Sequence, residues 1–224
     1  MAPLIDLSRR AEEPELLDLG VSEEETLRSL GDLRFVNRWL GGTRPLLRAL
    51  APLLPATGGR LLDVGCGSGD LPAACLERAS GGLLAVGVDL KSLHLKQTPA
   101  GIIRVQADAR ELPFPARSFD VVTASLFLHH FDRDEPAHVL RELWRVTGGA
   151  LLVNDLHRAR VPWLFARVAL PRLLRSPVSV ADGLLSIRRA FTPAELAGLM
   201  HAAGIEGARI ARRFPYRLVG LARR

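Results

Sequence analysis

Residues 61–72 read LLDVGCGSGDLP: an apolar run, three glycines at alternate positions, then the start of a helix. A strand that passes through a glycine turn straight into a helix is half of a parallel βαβ unit. Such turns hold phosphate or nucleoside groups against a helix N-terminus. Gly65, Gly67 and Gly69 let the backbone approach a ligand where side chains would collide with it. Asp70 is expected to cap the helix, with Pro72 near its first position. The spacing is GxGxG and not the GxGxxG of the common dinucleotide fingerprint. Asp63, two residues ahead of the first glycine, is placed to orient the ammonium end of an amino acid.

The remainder of the chain keeps the same alternation. Apolar runs at 60–65, 83–90, 102–108, 119–128 and 150–155 are separated by helical stretches, among them Leu71 to about Ala79 and Glu135 to Val146. Runs of this length predict a buried parallel sheet with helices on both faces. Residues 1–20 read as a loosely ordered arm. Ser22 and Glu25 form a capping box for a helix reaching about Leu40, where Gly41-Gly42 offers a stop. Thr43 caps a second helix to about Leu54. The expected division is therefore an arm and helical lid over 1–55 and an α/β domain over 56–224. A long insert occupies 156–190, Thr192 caps a further helix, and two strands split by Pro215 close the chain as a hairpin.

The net charge of +6 and pI near 10.5 raise the question of a nucleic acid partner. Arginine supplies almost all of that charge, since Lys91 and Lys96 are the only lysines. The arginines are spread out, and aromatics at 5% give no stacking platform, so a nucleic acid partner is not expected. Cys66 and Cys75, with no CxxC spacing, read as reduced thiols of a cytosolic protein. The N-terminus is too acidic and too broken by proline for a signal peptide. A cytoplasmic monomer or homodimer is expected.

Two further strand ends carry acids. Asp89 closes VGVDL, twenty residues after Gly69, where a carboxylate takes both hydroxyls of a ribose. Asp108, in QADA, suits the exocyclic amine of an adenine, with Ala109 beside it as backbone donor. With these residues the chain resembles the class I S-adenosylmethionine (SAM) methyltransferases. LLDVGCGSG is similar to their first motif, VGVDL to the second, and QADARELPFPARSFDVVTASLFLHHF to the third and fourth. LRELWRVTGGALLVNDL is similar to the helix and strand that follow. The resemblance spans roughly 56–155, and more weakly the hairpin at 205–222.

It implies an α/β, Rossmann-like fold with a seven-stranded, mostly parallel sheet whose last strand is antiparallel. It also implies SAM as cofactor and S-adenosylhomocysteine as product. Carried over, Gly65, Gly67 and Gly69 face the methionyl and ribose part, and Asp89, with Leu90 beside it, the ribose. Asp108 and Ala109 face the adenine, and Ser125 the methionine end. RFVNRWLGG (34–42) is similar to a segment that folds over the cofactor, which gives Asn37 and Arg38 the cofactor carboxylate or the acceptor as partners.

Methyl transfer from SAM is an in-line displacement, for which the protein supplies alignment and desolvation. An oxygen acceptor also benefits from a base with a pKa near 7. His129 and His130 close the fourth apolar run, and strand alternation expects only one of them to face the site. His157 is the rival, with Asp155 close enough in sequence to orient it, and Asn154 and Asp155 can equally bond the acceptor. No spacing suggests magnesium, so a metal-independent enzyme is expected. The insert mixes Trp163, Leu164 and Phe165 with arginines over 158–175. It reads as a lid over a lipophilic acceptor or as a basic amphipathic surface resting on a membrane. VNDLHR and the later DG..S..RRAFTPAEL resemble methyltransferases encoded beside type III polyketide synthases, which act on phenols or quinones with hydrophobic tails. That likeness directs Arg188 and Arg189 to the acceptor. The reading is a methyltransferase acting on a small phenolic or quinol-like lipophile, at oxygen. Carbon methylation of the ring, RNA methylation and a non-catalytic SAM-binding module are the alternatives.

Overall fold

The computed structural model describes residues 5–39, 42–55 and 57–224. The apolar runs become the strands β1 (Arg60–Val64), β2 (Leu84–Asp89), β3 (Ile102–Gln106), β4 (Phe119–Ser125) and β5 (Thr147–Leu156). The closing hairpin supplies β6 (Arg209–Arg213) and β7 (Arg217–Arg223). They form one seven-stranded sheet in the order β3-β2-β1-β4-β5-β7-β6. Its first five strands run parallel, and β7 is antiparallel to both its neighbours, as expected. In the centre Leu62 pairs with Val86 and Val122, and Val64 with Val88 and Ala124. All six side chains are buried, because helices cover both faces. The strand order reverses between β1 and β4, which opens a crevice at their carboxyl ends.

The helices are α1 (Leu16–Leu19), α2 (Glu23–Trp39), α3 (Thr43–Leu50), α4 (Asp70–Leu76), α5 (Ser92–Lys96), α6 (Glu135–Val146), α7 (Arg160–Leu173), α8 (Pro177–Arg189) and α9 (Pro193–Ala202). Thr192 makes the full reciprocal capping box with Glu195 on α9. Ser22 accepts from the Glu25 backbone as expected, but the Glu25 carboxylate accepts instead from Ser176 at the start of α8. Asp70 and Thr43 are first helical residues and not caps; Gly69 and Gly42 stand at the cap positions. Leu40 and Gly41, the expected stop of α2, lie outside the described residues. Leu46, Leu47 and Leu50 of α3 pack on Leu61, Val121 and Leu152, so this helix belongs to the sheet's covering layer.

Two expectations fail in ways that bear on the site. The arm is not loose. Arg10 donates to the carbonyls of Arg189 and Phe131, Ala11 N–H donates to Arg188 O, and Asp182 of α8 accepts from the N–H groups of Leu16 and Leu17. All these partners are more than a hundred residues away, so no local pattern foretells them. The fourth run, in turn, does not stay a strand to Leu128. Leu126 takes a positive φ of 54°, and its N–H donates to Asn154 O at 2.7 Å. A left-handed leucine is uncommon and strained, and it turns the chain into a 3-10 turn over Leu128–His130.

Candidate active site

The glycine turn is tied to the end of β2. Gly65 and Cys66 both donate to Val88 O, at 2.8 and 2.9 Å, and Gly67 N–H donates to Asp89 Oδ2 at 2.9 Å. Asp89 Oδ1 accepts from Lys91 N–H at 2.9 Å and lies 3.3 Å from His94 Nδ1. Burial works against the Asp89 charge, but His94 and the two N–H groups hold the carboxyl below its usual range. A Cβ on Gly65 would fall 2.1 Å from the Phe127 ring, whereas one on Gly67 would meet nothing within 4 Å. The first glycine therefore makes room for Phe127, while the second takes a left-handed φ of 53° beside open space.

Asp63 is buried beneath this turn and accepts from Thr123 Oγ1 at 2.7 Å. Burial, with Asp70 and Asp89 nearby, pushes its pKa up to about 7 despite that bond. Asp108 is gripped by Arg110, which donates to both its oxygens and holds its carboxyl low. Ser125 Oγ accepts from Asn154 Nδ2 at 2.8 Å. α2 joins the turn from above: Arg34 donates to Ser68 Oγ at 3.1 Å, and Asn37 Nδ2 to Asp70 Oδ2 at 3.4 Å.

The second cluster surrounds the 3-10 turn. Because the turn is not a strand, the rings of His129 and His130 lie side by side, 4.4 Å between centroids, and both line the same cavity. His129 Nδ1 donates to Asp155 Oδ1 at 2.6 Å, and its Nε2 lies 3.5 Å from Glu15 Oε1. Burial alone would lower the imidazole pKa, but the Asp155 charge and bond, with Glu15, hold it up at about 10. His129 is thus a buried cation held between two carboxylates. His130 Nδ1 donates to Asp18 Oδ2 at 2.6 Å. Burial disfavours the Asp18 charge, yet His130 and Lys91 keep that carboxyl well below its usual range. Asp18 occupies Nδ1, and among the described residues nothing hydrogen-bonds Nε2 of His130. Glu15, His129 and His130 bring three donor atoms within 4.8 Å of one another. Glu15 lies 3.5 Å from His129 Nε2 and 3.7 Å from His130 Nδ1, so these groups already contact one another.

Arg189 binds the turn from behind. It donates to the carbonyls of His129, His130 and Glu13 and to Asp132 Oδ1, tying α8, the arm and the turn together. Glu15 also accepts from Ser186 Oγ at 2.6 Å. Sequence reasoning missed Glu15, Asp18 and Arg34, and it directed Arg189 to the acceptor, whereas the side chain binds the turn's carbonyls and does not line the cavity. An acid in an acidic arm carries no signal until its partner is known.

One cavity of about 760 Å³ joins the two clusters. Asp63, Gly65, Gly67, Asp89, Leu90, Asp108, Ala109 and Ser125 line one end, with Asn37 above them. His129, His130, Glu15 and Asp18 stand in the middle, and Leu156, Phe165, Leu170, Tyr216 and Arg217 enclose the rest. Gly69 is not on the wall; the space beside its α carbon is taken by Thr98 and Ile102.

Five other expected site residues are elsewhere. Asn154 and Asp155 are buried behind the wall, bonded to Ser125 and to His129. Arg38 lies over the Trp39 ring. Arg188 pairs with Glu13 on the surface, because α8 turns Arg189 and not Arg188 inward. His157 pairs with Phe191 outside the cavity, where burial and the charges of Arg212 and Arg158 lower its pKa.

Residues 62–153 match the family model described as a methyltransferase domain. The chain is 32% identical over 200 residues to a demethylmenaquinone methyltransferase of Roseiflexus castenholzii, covering 80% of this chain and 78% of the relative. It is 29% identical over 198 residues to a ubiquinone biosynthesis O-methyltransferase of Ralstonia nicotianae, covering 84% and 75%. Among solved structures, a SAM-dependent methyltransferase from Aquifex aeolicus superposes with a TM-score of 0.67 at 15% identity, covering 91% of this chain and 99% of that one. The likeness to that structure is one of fold, while the first relative matches over most of both sequences. By that match, the chain belongs to the SAM-dependent methyltransferases.

Proposed function

We propose that this enzyme methylates an oxygen of a phenolic or quinol-like acceptor carrying an apolar tail, with His130 as the base. The observation that carries this reading is the Asp18–His130 pair in the cavity, between the glycine turn and the apolar far wall. SAM supplies an electrophilic methyl on a positive sulfur. The cradle suits it: open space over Gly67, the Asp89 carboxylate for the ribose, Asp108 with Ala109 for the adenine, and Asp63 toward the ammonium end. His130 takes the acceptor proton at Nε2, and Asp18 steadies the imidazolium that forms. His129 stays charged and positions the turn. The apolar wall excludes water from the displacement. The relatives' names, which speak of demethylmenaquinone and ubiquinone biosynthesis, favour a quinol-like ring with a lipophilic tail.

We further propose that the enzyme takes its acceptor from an anionic membrane surface on the cytoplasmic side. Val161, Leu164, Phe165 and Val168, one face of α7, are exposed, as is Phe214 at the β6–β7 turn. Around them stand Arg160, Arg167, Arg172, Arg175, Arg212 and Arg213, none ion-paired among the described residues. Exposed apolar groups ringed by unpaired arginines complement anionic lipid. No helix among the described residues is long and apolar enough to cross a membrane.

The test is labelled-methyl transfer from SAM to a lipophilic phenol and quinol extract, with total RNA in parallel. Label in the small-molecule pool, on oxygen by mass spectrometry, is the expected result. Label on ring carbon removes His130 as an oxygen base, and label in RNA alone overturns the reading.

A further inference from the structure

Among the described residues three arginines are buried: Arg158, Arg189 and Arg217. The fold satisfies the first two. Arg158 donates to Leu7 O, Ala190 O and the Glu195 carboxylate, and Arg189 to three carbonyls and Asp132. Arg217 is only 4% exposed, yet its Nε and Nη1 have no hydrogen-bond partner among the described residues. A guanidinium withdrawn from water without partners is costly, and folded proteins avoid it unless something else completes the site.

Its position says where that partner comes from. Arg217 opens β7 opposite Leu156 at the carboxyl end of β5, and lines the cavity beside Leu156 and Tyr216. In the sheet β7 is three strands from β1, about 14 Å at the usual spacing between strands. The glycine turn is therefore at the opposite end of the cavity from this arginine. Asp155 is the nearest anion, but its oxygens are taken by the N–H groups of His129 and Leu156 and by the His129 ring. Burial lowers the Arg217 pKa to about 10, so the side chain remains charged at neutral pH.

We infer that Arg217 recognises a carboxylate borne by the acceptor, which makes the substrate an aromatic acid with an apolar tail. This rests on reading the cavity's far end as the acceptor site. A planar guanidinium matches a carboxylate in geometry and charge. A neutral analogue leaves the buried charge unpaired, and sites of that kind reject it strongly.

The probes are 3,4-dihydroxy-5-decylbenzoic acid and its methyl ester, titrated calorimetrically into protein saturated with S-adenosylhomocysteine. The acid is expected to bind on the order of a hundredfold more tightly than the ester, the range for a hydrogen bond to a charged group. In Arg217→Met that preference disappears, and in Arg217→Lys it is only partly kept. Thermal unfolding separates recognition from scaffolding. Ligand-free Arg217→Met should melt at or above the wild-type temperature, because an unpaired buried charge is gone. Equal affinity for acid and ester in the wild type, a preference that survives in Arg217→Met, or a marked loss of stability in that variant each overturns the inference. Turnover is scored separately on the same pair. Tight binding of the acid without methylation of either compound sinks the proposed reaction and leaves the recognition of a carboxylate standing.

Discussion

The Asp18 carboxylate and the His130 imidazole, 112 residues apart in the chain, meet at 2.6 Å inside the cavity. If this pair handles the acceptor proton, His130→Ala should lower kcat by about a hundredfold or more. Asp18→Asn should fall in the same direction, while SAM affinity by calorimetry stays at the wild-type value in both. Wild-type turnover in His130→Ala removes this histidine from the chemistry.

Asp63 ties cofactor affinity to pH. Its folded pKa of about 7 stands above the ordinary 3.8, so the folded protein holds a proton that the unfolded chain has released. Between those values the ligand-free protein loses stability as pH rises, and above about 7 the loss is complete. An ammonium group beside Asp63 favours the carboxylate, so SAM binding below pH 7 should release a proton. Affinity should then rise by up to about tenfold per pH unit until it levels near 7. Titrations in buffers of different ionisation enthalpy at pH 6 read the proton directly. Asp63→Asn should abolish both the release and the slope.

Two glycines of one turn should fail differently. Gly67→Ala places a Cβ in open space and costs about 1–2 kcal/mol for a left-handed alanine, yet it should lose measurable SAM binding. Gly65→Ala collides with Phe127 and should lower the melting temperature more than Gly67→Ala does. Parallel melting and binding curves on the two variants separate these effects.

The buried His129–Asp155 pair stabilises the fold. The His129 pKa of about 10 stands above the ordinary 6.5, so this stability is complete below pH 6.5 and is lost as pH rises through 10. Urea midpoints should decline across that window and flatten in His129→Gln. Asp155→Ala, which leaves the imidazolium without its main partner, should cost about 3–5 kcal/mol.

Membrane contact through α7 predicts sedimentation with vesicles containing phosphatidylglycerol, and release by salt. Leu164→Ser with Arg160→Glu and Arg172→Glu should weaken it on the order of fivefold or more per arginine, the value of a cation near an anionic surface. Recruitment to neutral vesicles with equal strength would falsify the electrostatic part.

The sheet and the glycine-turn wall of the cavity were legible because their signals are local. Three glycines, Asp63 and Asp89 lie within 27 residues; Asp63 is next to last in β1 and Asp89 last in β2, and an apolar run announces each strand. The histidine end was legible only in part. His129 and His130 were visible at a strand end, but Leu126 ends that strand early by taking a positive φ that no propensity predicts. The arm reads as loose because Glu15 and Asp18 sit in an acidic, proline-broken stretch, while their partners are contributed by the 3-10 turn, α8 and Lys91. Arg188 and Arg189 illustrate the same limit: one residue of helical phase decides which is buried.

Arg189, reaching from α8 to both the arm and the histidine turn, makes the two ends of this enzyme unequal partners in assembly. The glycine-turn end draws most of its wall from residues 63–125, with Arg34 and Asn37 of α2 added from above. The histidine end instead depends on the first twenty residues having found a helix more than 160 positions downstream. A change in the arm or in α8 therefore reaches the histidine turn without touching the contacts that hold the glycine turn to β2.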